Sequence, residues 1–426
     1  MLRRLRALLL TAAVCAGCTA SPEPGDTVEL WAMGREGEVV AAMLDDFERE
    51  HPGMRVRVQQ VPWSAAHEKL VTAYVGGALP DVFQAGTTWI AELVALGALE
   101  PLDDRLAASD AVDPDDYFVG VLAGNVVDHH TWGVPWYVDT RLLFYRSDLL
   151  AAAGYAAPPR TWDEWRAAME AMKGRAEPGA FALLAPLSEW EAPVILALQR
   201  GATLLRDGDR FGDFESPAVR EAFGFYLELF QRGLAPIAGA TQVGNVYQDF
   251  ARGWFGFYVT GPWNLEAMAT RLPASMAGRW ATAPLPAPGD DYPGVSLAGG
   301  ASLVVARDSP RKDAAWKVVE HLSTTAAQVR FHELSGDLPA RRTAWHEAGL
   351  ESGAHTRAFW QQLAAVRPPP RIPEWERIAA LVARHTERAV RGVVSLDAAL
   401  AALDRDVDAL LEKRRWLLAR QTEGRS

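Results

Sequence analysis

Sixteen tryptophans, against nine tyrosines and fifteen phenylalanines, are the first chemical signal in this 426-residue chain. An indole is a flat apolar plate with a single N–H. Beside hydrogen-bonding groups, such plates suit sugars, which have apolar C–H faces and polar rims. Signals for covalent chemistry are missing. The sequence holds no H-E-x-x-H, no G-x-x-x-x-G-K-[ST] and no G-x-S-x-G. Gly294-Val295-Ser296-Leu297-Ala298 approaches the last and lacks its second glycine. Asp128-His129-His130 is a candidate metal-ligand group, but a cluster on a polar loop is more often solvated surface. No motif implies a cofactor. Carboxylates are plentiful, so a glycosidase pair stays open.

Cys15 and Cys18 are the only cysteines. No disulfide framework or thiolate metal site is therefore expected beyond them. They sit in a leader-like segment. Arg3, Arg4 and Arg6 make a basic start, Ala7 to Val14 a mostly apolar run, and Ala16-Gly17 a small-residue cleavage site. That run is too short to span a bilayer. Residues 1–18 are read as a signal peptide and 19–27, with its prolines and glycine, as a tether. The alternative is simple secretion with cleavage nearby.

The length favours two domains, and a 49% hydrophobic content supports large cores. A net charge of -11 argues against general nucleic-acid binding. The elements follow an α/β pattern. Val28 to Met33 reads as a strand, Gly34 to Gly37 as a turn, Glu38 to Glu50 as a helix stopped by His51-Pro52-Gly53. Met54 to Val61 alternates as a second strand. A helix over Ser64 to Val75, a strand over Asp81 to Gln84 and a helix over Trp89 to Leu96 continue it. Parallel strands are expected. Thr161 with Glu164 forms a capping-box signature. Gln242 to Arg252 reads as a helix, Trp254 to Val259 as a buried strand, Trp280 to Pro293 as a Pro-rich crossing, and Leu396 to Leu411 as the last helix. Nothing after residue 30 is apolar enough over sufficient length to be transmembrane.

Several blocks, in order, resemble family 1 extracellular solute-binding proteins of ABC sugar importers, the maltose/trehalose/multiple-sugar group. They are Pro80-Asp81-Val82-Phe83, Trp132 to Thr140, Thr161 to Trp165, Gly261-Pro262-Trp263, Gly299-Gly300 and Gly336 to Arg341. The likeness runs from about Val28 to Leu411. It implies a two-lobed α/β binding-protein fold of type II, with a hinge of about three crossovers and ligand in the interlobe cleft. The lobes would be 28–136 with 293–339, and 137–292 with 340–426. Ala16-Gly17-Cys18 resembles a lipobox, which would make Cys18 the lipidated first mature residue; Cys15 stands where that motif usually has leucine.

Carried over residue by residue, the likeness implies ligand contacts at Trp31, Glu36, Trp63, Thr87, Thr88, Trp89, Tyr137, Asp139, Trp263, Gly299, Gly300 and Arg367, with Arg371 the competing register for the last. The first of these follow strand ends, where α/β sheets place ligands. Gly299 and Gly300 would let backbone approach the ligand. Trp31, Trp63 and Trp89 also have a packing reading, and Glu36 can simply favour a helix N-terminus. Trp162, Trp165, Trp316 and Trp375 read as packing or surface. The function implied is non-catalytic capture of a sugar, a disaccharide or short oligosaccharide in view of the many aromatics, by a monomer outside the cytoplasmic membrane, held by a lipid anchor and delivering to permease subunits. A secreted carbohydrate-active enzyme and a binding protein for a polyol or other solute are the competing readings.

Overall fold

A computed structural model describes residues 27–239 and 244–423. The expected signal peptide, the Cys18 lipidation site and all but the last residue of the tether lie outside the described residues, as does part of the helix expected from Gln242. What is described of that helix is Val246–Ala251, capped by Asn245, whose Oδ1 accepts from the backbone N–H groups of Tyr247 and Gln248.

Ten strands build the two larger sheets: β1 Thr27–Met33, β2 Arg55–Val61, β3 Val82–Gly86, β4 Val134–Asp139, β5 Leu142–Tyr145, β6 Leu183–Leu184, β7 Phe257–Thr260, β8 Ala281–Ala283, β9 Gly299–Val305 and β10 Leu338–Pro339. The first sheet has the order β10-β4-β9-β3-β1-β2 and the second β8-β5-β7-β6. The parallel expectation holds for β2, β1 and β3. It fails beyond them, because β9 runs antiparallel to both β3 and β4. The chain re-enters this sheet after a long excursion, and no β-helix-β crossover constrains its direction there.

Alternation along β1 decides what each side chain can do. Val28, Leu30 and Ala32 are fully buried and pack with Val40, Met43, Leu44 and Phe47 of the helix Gly34–Glu50. Each large side chain so buried contributes roughly 1.5–3 kcal/mol. Trp31 points to the opposite face, joins the cluster under the helix Trp63–Val75, and has the Lys69 ammonium 4.3 Å from its ring centre. That helix starts at Trp63 rather than Ser64, and no side chain caps it.

The expected turn at Gly34 to Gly37 is instead the first turn of the helix Gly34–Glu50, which puts Glu36 at a helix N-terminus. Thr161 and Glu164 do form a reciprocal capping box. Behind it, Trp162, Trp165, Ala168, Met169 and Met172 make the buried stripe of an amphipathic helix. Trp316 and Trp375 are likewise buried.

Asp128 and His129 are the two central residues of a tight hairpin between Val126–Val127 and His130–Thr131, both with positive φ. His130 lies 2.8 Å from Asp103. The Asp-His-His run is thus hairpin chemistry, and no group of three or more metal-ligating side chains occurs among the described residues.

The chain leaves the first sheet after Asp139 and enters the second at Leu142. The expected lobe boundary after residue 136 would cut through β4, whose Tyr137, Val138 and Asp139 still pair with β9 and β10. Trp136 is the extra residue of a bulge opposite Ala301 and Ser302, and it stacks on Phe331 at 4.3 Å. Residues 284–298 make the second passage. The third follows β10, where Arg341 is buried in an ion pair with Asp116 at 2.6 Å and donates to the carbonyls of Ala111 and Ser323. No described helix is long and apolar enough to cross a membrane.

Candidate functional site

A cleft of about 490 Å³ lies where the two sheets face each other. Its first wall is built from the carboxyl ends of the parallel strands, where backbone N–H groups and helix starts converge. Glu36 follows β1, Trp63 follows β2, and Gly86 ends β3 just before the 3-10 turn Thr87–Trp89. Tyr137 and Asp139 come from β4, and Gly299 and Gly300 from the start of β9. The second wall carries Arg141, Trp190, Glu191, Pro262 and Trp263; Asp337, just before β10, adds to the first, and Leu297, Ala298, Pro369 and Glu376 complete the lining.

Ten of the twelve expected residues therefore line one cleft. Trp31 does not, because strand alternation turns it to the far face of the sheet. Arg367 does not line it either. It is exposed, and what it gives the site is its backbone carbonyl, which accepts from the N–H of Ala298. The competing Arg371 donates to the carbonyls of Ala123 and Val126, both at 2.8 Å, so it closes a short helix.

Four indoles line the cleft, Trp190 beside Glu191 and three others. Trp63 and Trp89 are tilted neighbours, with ring centres 5.6 Å apart. Trp263, 48% exposed, stands on the other wall. The Trp63 N–H donates to both Glu36 oxygens, at 3.3 and 3.4 Å. Burial raises the Glu36 pKa, and hydrogen bonds from its own backbone, Tyr137, Trp63 and Gln84 pull against that rise. Gln84 is fixed in turn: its oxygen accepts from the Met33 N–H at 2.7 Å and its amide donates to the Tyr137 hydroxyl at 3.2 Å.

Arg141 carries the second wall. One nitrogen donates to Asp139 at 3.1 Å and another to Glu191 at 2.6 Å. The guanidinium carbon lies 4.6 Å from the Trp263 ring centre. Burial opposes the Arg141 charge, but the Asp139 and Glu191 carboxylates outweigh it and hold its pKa up. Burial raises Asp139 while Arg141 opposes. Asp337 is pushed up to about 7 by burial, with Glu36 and Asp139 adding to the effect. Glu189, behind the wall, is pushed to about 7 by burial and by Glu191.

The glycine expectation changes in kind. A side chain on Gly299 would overlap the Asp139 carboxylate, and one on Gly300, at φ +116°, would overlap the Tyr137 carbonyl. The pair is required first by the close approach of β9 to β4 and only then exposes backbone to the cleft. Thr87 likewise spends its hydroxyl on the Gly300 carbonyl at 3.0 Å.

Arg141, Trp190, Glu191, Asp337 and Glu376 escaped the sequence reading. For Arg141 the one signal was proximity: it lies two residues beyond Asp139, in the short segment that joins β4 to β5. Trp190 and Glu191, 50 positions later, are brought in by tertiary structure alone.

Plates, acceptors and a guanidinium in a cleft between two sheets, with separate passages of chain joining them, define a two-lobed ligand-binding protein. The comparisons narrow this class. The family model for bacterial extracellular solute-binding proteins matches residues 33–329. The sugar-binding protein MalE of Xanthomonas citri is 48% identical, with a TM-score of 0.89 over 92% of this chain and 99% of that one. Among curated relatives, the diacetylchitobiose-binding protein DasA of Streptomyces coelicolor is 25% identical over 83% of this chain and 82% of its own. The galactooligosaccharide-binding protein of Bacillus subtilis is 24% identical over 87% of each. The chain belongs to the bacterial extracellular solute-binding proteins, as its ordered motifs implied, and its function is that of the solute receptor of an ABC importer. Its place is outside the cytoplasm.

Proposed function

We propose that the solute is an uncharged sugar, a disaccharide or short oligosaccharide, bound without turnover. The observation that carries this is the pairing of indole plates with planar polar groups across one cleft: Trp63, Trp89, Glu36 and Asp139 on one wall, Trp263, Arg141 and Glu191 on the other. Plates take the C–H faces of pyranose rings, and carboxylates and guanidinium take their hydroxyls. A cleft of about 490 Å³ leaves room for more than one ring. The relatives' sugar-binding names support the same reading.

The lobes are centred on the two sheets, with the first passage at Thr140-Arg141. Sugar contacts from both walls favour the closed arrangement, so binding closes the hinge. The closed form docks on the permease. Cys18 carries the lipid that tethers the monomer to the membrane.

A thermal-shift screen of the exported domain against neutral mono-, di- and trisaccharides tests the reading, because a ligand that binds only the folded state raises Tm. At least one disaccharide or trisaccharide is expected to raise Tm by several degrees and to be recovered unhydrolysed. Release of reducing ends would instead favour an enzyme, and a shift with polyols alone would move the ligand to that class.

A further inference from the structure

Among the described residues lining the cleft, Arg141 is the one cation, facing Glu36, Asp139, Glu191, Asp337 and Glu376. Its geometry is unusual for a residue that only neutralises charge. It leaves the end of β4 and is gripped from both sides, by Asp139 of the first wall at 3.1 Å and by Glu191 of the second at 2.6 Å. Its own carbonyl accepts from the Ser296 hydroxyl at 2.8 Å, which fixes the backbone beneath it. Its guanidinium lies over the Trp263 ring. The plane of the group is therefore set by three partners before any ligand arrives.

A guanidinium has five N–H donors, of which two are used by these carboxylates. The rest stand beside the exposed plate, in a cleft whose other charged side chains are all carboxylates. A sugar ring oxygen or glycosidic oxygen can only accept, and carboxylates cannot serve it. We infer that Arg141 is a specificity-determining ligand contact: it donates to an acceptor oxygen of the sugar stacked at Trp263, with Asp139 and Glu191 fixing its orientation. This rests on the sugar reading above. Because both carboxylates already neutralise it, Arg141 does not act as a free anion receptor, and uncharged ligands are selected.

The test titrates the exported domain with maltose, cellobiose, lactose, trehalose and maltotriose by calorimetry, and continues with whichever binds most tightly. Arg141→Ala is expected to weaken that sugar at least about 30-fold, and to lower the Tm of the free protein as well, because it leaves the Asp139 and Glu191 carboxylates unpaired. Arg141→Lys, which keeps the charge and loses the planar fork, is expected to weaken it about tenfold. It also decides the matter if the alanine variant does not fold. Glu191→Gln is expected to weaken binding on its own and to add less than threefold on top of Arg141→Ala, because both act through one group.

Wild-type affinity or tighter in both Arg141 variants would overturn the inference and leave the sugar reading standing. Losses for Arg141→Ala and Glu191→Gln that simply multiply would overturn the role of Glu191 as its anchor. Absence of binding by the unaltered protein to every sugar would overturn the sugar reading and this inference together.

Discussion

The Trp63 indole N–H bridges both oxygens of Glu36, 27 positions earlier in the chain. One residue begins the helix after β2 and the other lies in the first turn of the helix after β1, so the pair ties adjacent strand ends into one edge of the cleft. Glu36→Gln keeps the shape and removes the acceptor charge. Sugar affinity is expected to fall about tenfold, since a hydrogen bond to a charged group is worth roughly 1.5–3 kcal/mol. Isothermal titration with the sugar identified by thermal shift measures it.

Trp263 is 48% exposed, so its packing contributes little to the fold. Trp263→Ala is expected to cost binding on the order of 100-fold, as expected for a large aromatic anchor, and to shift the Tm of the free protein by less than a few degrees. A matching loss of stability in thermal denaturation would count against the plate role.

Asp337 gives a pH prediction. Its pKa rises from the ordinary 3.8 to about 7 on folding, chiefly through burial. The folded state therefore holds more protons between these values. The contribution of this carboxyl to stability is fully present below the unfolded pKa and is lost as pH rises toward 7. Tm of the ligand-free protein is expected to decline over that range. Asp337→Asn is expected to flatten the decline, giving a higher Tm than the parent at pH 8 and an equal one at pH 4. Fluorimetric melting curves at both values check it.

Gly300→Ala places a methyl against the Tyr137 carbonyl at a φ of +116°. The expected outcome is destabilisation by roughly 2–4 kcal/mol, because the clash breaks β9–β4 pairing and the backbone strain adds to it. Urea unfolding followed by tryptophan fluorescence measures the change. Arg367→Ala, by contrast, is expected to leave sugar affinity within twofold, since the residue serves Ala298 through its carbonyl.

Local order was legible in the residues themselves. The capping box at Thr161 and Glu164, the buried stripe from Trp162 to Met172, and the strand-helix run from Val28 to Leu96 each depend on contacts within a few positions, which composition and period express directly. The ordered motifs also carried the family and its two-lobed fold. What period could not express was direction and destination. That β9 enters between β3 and β4 antiparallel to both, and that β4 stays in the first sheet until Asp139, are consequences of pairing between segments more than 150 residues apart. The same limit governs the cleft. Tyr137 and Asp139 could be placed there from the chain, and Trp31 could not be told from Trp63, because one residue of strand alternation sends an indole to the opposite face. Glu191 reaches Arg141, and Arg141 reaches Trp263, only once the two sheets face each other: an isolated carboxylate or guanidinium has no preferred partner until folding excludes water and fixes the distances between them.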